Sequence, residues 1–187
     1  MDSRSRNILR EARSWVISLV VAVLLALFMQ NVVMARATVP SASMENTIMT
    51  DTQVLLWRLA YAFSEPQRLD VVVFESPDGE DVTYVKRIIG LPGEVLEIVN
   101  GQVFINGADE PIYEWYLLEP PMWWSLTDQV FYIPEGHFFV MGDHRNNSKD
   151  SRGLGLGPWE NLFIPRENIL GRVSFSFWPL NQIGFIR

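Results

Sequence analysis

The chain has 187 residues, with 15 Lys and Arg against 22 Asp and Glu for a net charge of −7, and it has no cysteine. The length suits one domain with an appendage, and the missing cysteines exclude disulfides, thiol chemistry and thiolate metal sites. Arg4, Arg6, Arg10 and Arg13 precede the first long apolar run, so eleven bases face twenty acids from Arg36 onward, an acidic balance that argues against nucleic acid as a partner.

Residues 14–35 read SWVISLVVAVLLALFMQNVVMA and carry no charge. In a helix rising 1.5 Å per residue, roughly 20 residues cross a hydrocarbon layer of ~30 Å. Trp15 stands at the start of the run, where an indole favours the interface, and the arginines before it predict a cytoplasmic N-terminus. Residues 1–13 are then a cytoplasmic tail, 14–35 a single-pass anchor in the cell membrane, and 36–187 an extracytoplasmic domain. A cleavable signal peptide competes with this reading. The strongest apolar stretch covers only residues 15–28, and Ala35-Arg36-Ala37 has the small-x-small form of a cleavage site. Both readings export the remainder and differ on whether it stays tethered.

Beyond residue 36 the pattern is mainly β. Residues 53–57 (QVLLW), 70–74 (DVVVF), 81–89 (DVTYVKRII), 137–143 (HFFVMGD) and 171–178 (GRVSFSFW) are β-branched or aromatic runs. Pro77-Asp78-Gly79 and Pro92-Gly93 mark turns. EVLEIV and QVFI flank Asn100-Gly101, a two-residue hairpin signal. No helical periodicity and no internal repeat follow residue 36. Residues 107–134 break the pattern with Trp115, Tyr116, Trp123 and Trp124 around Glu119-Pro120-Pro121, and predict a small inserted subdomain or long loop. Trp123 and Trp124 form either a local aromatic cluster or a contact with the membrane interface.

Several chemical signatures are missing, among them HExxH, a P-loop, a G-x-S-x-G elbow and a lysine three residues after a serine. The glycines at 153, 155 and 157 do not match G-x-G-x-x-G and read as a loop. Two positions and one segment stand out. Lys86 shares a strand face with Val82, Tyr84 and Ile88. It either snorkels or pairs with an acid, or it is buried and loses part of its basicity, as a lysine base requires. Ser43 lies in VPSASM at 39–44, either an ordinary loop serine or a nucleophile with the small neighbour Ala42 beside it. Residues 142–152, GDHRNNSKDSR, are either a solvated loop or an element that ties its own backbone through acid–arginine pairs.

Taken together, these segments resemble the boxes of bacterial type I signal peptidases, membrane-bound serine–lysine proteases that release exported proteins from their leader peptides. VPSASM is similar to the family's P-S-G-S-M, YVKRIIGLPGE at 84–94 to its lysine box, and GDHRNNSKDSR to G-D-N-R-x-N-S-x-D-S-R. The resemblance runs from about residue 10 to NQIGFI at 181–186. It implies an all-β catalytic domain behind a transmembrane helix, with Ser43 as nucleophile and Lys86 as general base. It also implies an oxyanion hole of the Ser43 N–H and the Ser41 hydroxyl, with Ser148 orienting the amine and Asp150 and Arg152 holding the loop. Asp143 and Arg145 match structural positions. Val39, Met44, Ile48, Tyr84 and Val85 are expected to line pockets for small residues, giving cleavage after Ala-x-Ala. The implied partners are exported preproteins, the lipid bilayer and nearby export machinery, with no cofactor and no metal. A retained anchor also follows from the resemblance, because cleavage after Ala37 would part the enzyme from membrane-bound substrates.

Three departures accompany it: Ala42 for glycine, His144 for asparagine, and a longer stretch, GLGLGPWENLFIP, after Arg152. Two rival functions stay open at this level. One is a serine–histidine–aspartate arrangement using His144 or His137 with Asp143 or Asp150. The other is a silent scaffold that binds leader peptides.

Overall fold

The computed structural model describes residues 3–79, 81–120, 128–153 and 162–187, with side chains from residue 10 onward except at 31. Trp123, Trp124 and most of the stretch after Gly153 lie outside the described residues. An α-helix, α1 (Ser3–Phe28), opens the chain and passes into a π-helical turn at Met29–Val33. Its Arg10–Phe28 stretch is long and apolar enough to cross a membrane, and no other part of the described chain covers it. Helical structure stops earlier than the sequence suggests. Met34 and Ala35, read above as the end of the anchor, already belong to strand β1 (Met34–Val39).

Ten further strands follow: β2 (Thr52–Trp57), β3 (Val71–Glu75), β4 (Thr83–Gly90), β5 (Val95–Val99), β6 (Gln102–Ile105), β7 (Gln129–Tyr132), β8 (His137–Met141), β9 (Ile164–Pro165), β10 (Ile169–Trp178) and β11 (Gly184–Phe185). Eight of the eleven strands make one antiparallel sheet in the order β1-β2-β10-β3-β4-β8-β9, with β11 on β10. The other three form a smaller sheet, β6-β5-β7. All seven strands expected from the runs above are present within a few residues. Asn100 and Gly101 both take positive φ, 51° and 77°, between paired Val99 and Gln102, as a hairpin turn that matches strand twist requires.

Residues 107–134 contribute β7, which pairs with β5, so the smaller sheet begins at Val95. Its core is Leu96, Ile98, Val103, Tyr116, Phe131 and Ile133, packed on Phe139 and Met141 of β8. Strand β1, the short β9 and β11 were invisible to pattern reasoning. A strand continuous with an apolar helix shows no change of composition, and two-residue strands carry no period.

Strand β4 positions the site. Its alternation holds, with Tyr84 and Ile88 packed in one apolar cluster and Val85 and Ile89 in two others. Both faces are covered from Lys86 to Gly90, so neither alternate set reaches water there.

Candidate active site

Ser43 sits in a 3-10 turn, Ala42–Met44, at the end of β1. The turn is closed by Glu45 N–H donating to Ala42 O at 3.1 Å, Ile48 N–H to Met44 O at 2.7 Å and Asp51 N–H to Val39 O at 2.8 Å. Met44 and Ile48 are fully buried among Val39, Val54, Val71 and Val73. A serine hydroxyl is thereby fixed by the packing of the residue next to it.

Lys86 enters from β4, opposite Val72, and is 2% exposed. Its Nζ lies 2.6 Å from Ser43 Oγ and 2.9 Å from Val85 O. Burial pushes the amine down to about 8 from 10.5; Asp150 and Asp143 pull it back up, and Arg152 pushes it down again. Charge on this nitrogen costs desolvation that a single serine does not replace. Ser41 Oγ stands 3.2 Å from Ser43 Oγ.

The polar segment after β8 closes on itself. Asp150 accepts Arg152 Nε at 2.8 Å, Arg152 Nη2 at 2.8 Å and Gly142 N–H at 3.0 Å, and Arg152 Nη2 also donates to Arg145 O. Burial pushes the Asp150 carboxyl up, but the Arg152 guanidinium outweighs it and holds it below the ordinary range. Asp150 and Arg152 thereby bind the segment to itself beside Lys86. Ser148 is buried beside the site, and its hydroxyl helps to hold the Asp150 carboxyl down. Among the described residues the Lys86 amine bonds Ser43 and Val85, and the expected bond from Ser148 is not formed.

A cleft of about 150 Å³ runs between residues 37–41 on one side and 82–86 on the other, with Val73 also lining it. Val39, Tyr84 and Val85 are among its lining residues. Met44 and Ile48 are not; they pack in the core with Val39, fully buried.

Several structural partners were missed. Arg87 is 0% exposed and forms a two-pronged pair with Asp143, Nε–Oδ1 at 2.9 Å and Nη2–Oδ2 at 2.6 Å. Its other bonds go to Leu69 O, Thr47 Oγ1 and the backbone oxygen of Arg187, and its guanidinium lies 4.0 Å from the centre of the Tyr116 ring. Arg145 forms a buried pair with Glu114 of the insertion. Asn46, at φ 83°, donates to Tyr116 O and Leu117 O. The one available sequence signal was the arginine beside Lys86, which alternation alone would place outward.

The serine–histidine–aspartate alternative is not assembled. Asp143 bonds Arg87 and Thr47, Asp150 bonds Arg152 and Gly142, and His137 Nδ1 meets Glu135 O. The His144 ring faces Ala42 O, Glu45 and Glu119.

Gly142 is where the end of β8 closely approaches the nucleophile turn. A Cβ there would stand 2.3 Å from Ser148 Oγ and 2.5 Å from Ser43 O. Gly142→Ala is expected to shift the nucleophile turn and lower kcat/KM by roughly 10²-fold. Steady-state kinetics within twofold of the parent would show that the turn absorbs the methyl group.

Residues 12–178 match the family model described as signal peptidase, peptidase S26. A signal peptidase I from Leptolyngbya laminosa is 35% identical over 87% of this chain and 78% of its own. Signal peptidase I S from Bacillus subtilis (strain 168) is 37% identical over 97% of this chain and 95% of its own. A solved signal peptidase I from Enterococcus faecalis shares 29% identity, overlapping 59% of this chain and 98% of its own at a TM-score of 0.48. The molecule is thus a protease of mainly β architecture behind one apolar helix. The chain belongs to the signal peptidase family, peptidase S26, and its uncovered N-terminal helix makes it a membrane-anchored member.

Proposed function

We propose that the protein removes signal peptides from exported preproteins by acyl-enzyme chemistry on Ser43 with Lys86 as general base. The observation that carries this is the 2.6 Å approach of a fully enclosed lysine amine to a serine hydroxyl. With the amine neutral, its lone pair takes the Ser43 proton as Oγ attacks the scissile carbonyl carbon. The ammonium then protonates the departing amine and leaves an ester on Ser43. A water next gives its proton to Lys86 and attacks the ester, and Ser43 Oγ leaves with that proton. The Ser43 N–H and the Ser41 hydroxyl are the donors for the oxyanion, each worth ~3–4 kcal/mol in such sites. Ser148, Asp150 and Arg152 keep the base enclosed.

The substrate is an extended segment laid beside β4. Strand β8 pairs with β4 at Arg87, Ile88 and Gly90, which leaves the edge at 83–86 open to another strand among the described ones. Main-chain bonds there supply affinity. The small cleft at Val39, Tyr84 and Val85 selects small side chains, hence Ala-x-Ala. The arginines in the first turns of α1, ahead of its apolar stretch, put the N-terminus in the cytoplasm, so cleavage occurs on the outer face, beside the export machinery. Trp57, Leu59 and Phe63 stay exposed, Phe63 at 99%, around a turn, Arg58–Tyr61, that packs against the Met29–Val33 turn. Apolar side chains at that level suit a lipid interface.

The test is incubation of the full chain in detergent or vesicles with a preprotein ending in Ala-x-Ala, with the products read by mass. A single cut after the second alanine is expected, and an uncut preprotein under conditions of demonstrated binding would leave a leader-peptide scaffold instead. The pH profile is a second prediction. Only the neutral amine accepts a proton, so kcat/KM should rise about tenfold per pH unit below about 8 and level above it. A flat profile between pH 6 and 8 would remove Lys86 as the titrating base.

A further inference from the structure

Building on the dyad reading, we propose that His144 is a positioning residue for the oxyanion hole, holding and polarising the peptide group that carries the Ser43 N–H. That peptide group consists of the Ala42 carbonyl and the Ser43 N–H. The carbonyl end accepts Glu45 N–H at 3.1 Å and, from the opposite segment, His144 Nδ1–H at 3.3 Å. The backbone N–H of His144 donates to Ser43 O at 3.1 Å, so one residue grips the two carbonyls on either side of the nucleophile's Cα. Fixing a carbonyl fixes the direction of the N–H in the same plane. Loading that carbonyl with hydrogen bonds also strengthens the N–H as a donor, the cooperative effect of chained amides.

The ring itself is held from two other elements. Nδ1 lies 3.5 Å from Glu45 Oε2 on the nucleophile turn, and Nε2 lies 3.3 Å from Glu119 Oε1 on the insertion. On its own segment Asp143 is taken by Arg87, Arg145 by Glu114, and Asn146 donates to the same Glu119 oxygen at 2.8 Å. Both ring nitrogens therefore face oxygen acceptors, and the imidazole bridges the turn that bears Ser43 to the insertion that belongs to the smaller sheet. Thr50 Oγ1 steadies the far end by donating to Glu45 Oε1 at 2.9 Å. An asparagine or glutamine could reproduce the bond to Ala42 O but not the second arm to Glu119.

His144 acts through the Ser43 peptide and not on the substrate, so its removal should change kcat and leave KM alone. For His144→Ala, kcat on the Ala-x-Ala preprotein is expected to fall roughly tenfold with KM within twofold. His144→Gln should recover most of that loss, and His144→Phe, which fills the same space without a donor, should not. Thermal unfolding of the Phe variant separates packing from positioning. Phe near parental stability with kcat as low as Ala supports the proposal. Phe restoring kcat, Gln no better than Ala, or a loss carried wholly by KM would each overturn it. Ser43→Ala and Lys86→Met are run alongside. If they are inactive while the His144 variants match the parent, only the positioning role fails; if they are active, the dyad reading itself is at fault.

Discussion

Ser43→Ala is expected to lower preprotein cleavage by at least ~10³-fold while the protein stays folded, and Lys86→Met to do the same. Each change removes one half of a single proton-transfer step, so the double variant should be no worse than either alone. Methionine is chosen at 86 because it keeps the length of the side chain in an enclosed site. The two variants should nevertheless differ in stability. The Lys86 amine has a folded value of about 8 against 10.5, so folding favours its neutral form. Below about pH 8 the folded protein bears the full cost of a buried charge; the cost shrinks between about 8 and 10.5 and is gone above. Lys86→Met should therefore gain up to about 3 kcal/mol at pH 7, less the lost bonds to Ser43 and Val85. Ser43→Ala should not show that gain. Denaturant unfolding at pH 7 and pH 10 reads it, and an inactive Lys86→Met that is plainly less stable at pH 7 would contradict the buried-amine account. Cleavage within tenfold of the parent in either variant would end the dyad assignment.

The second large effect is on stability. Arg87→Met is expected to destabilise the domain by ~3–5 kcal/mol, because it strands the Asp143 carboxylate where no water reaches it. Both side chains of this pair are 0% exposed. The arginine also ties Leu69 O, Thr47 and the Arg187 backbone oxygen to β4, so several acceptors lose their donor together. For a domain of this size a loss of that order lowers Tm by roughly 10 °C. Arg87→Met with Asp143→Leu should recover part of it, since an apolar pair strands no charge. Calorimetry of the three variants measures the coupling, and a single-variant loss below about 1 kcal/mol would mean that water enters and solvates Asp143. Activity should fall as well, through Thr47, which donates to Asp143 at 2.5 Å four residues after Ser43.

Much of this protein is readable without coordinates. The apolar helix follows from chain composition, because roughly 20 uncharged residues have no other stable setting than lipid or a large core. The expected strands follow from period-2 patterning, and the Asn100-Gly101 turn from the positive φ that these two residues tolerate. Ser43, Lys86 and the Asp150–Arg152 closure were nameable because they lie in long contiguous motifs, where the order of residues along the chain carries the chemistry.

The remainder depends on which segments pack over the two faces of the sheet. Alternation puts Lys86 and Arg87 on opposite faces and so predicts that one of them is wet. Packing over both faces of β4 buries both, and only then does the amine lose basicity and Arg87 need Asp143. Met44 and Ile48 sit beside the nucleophile in sequence, yet a turn of 3-10 geometry points them into the core and away from the cleft. The contacts of the insertion with the nucleophile turn join Asn46 to Tyr116 and His144 to Glu119. Such pairs are far apart in the chain, and hydrophobic patterning is blind to them because it records burial and not which polar group meets which. The order of residues along the chain names the side chains able to do the chemistry, and the fold holds Ser43 and Lys86 dry and close together.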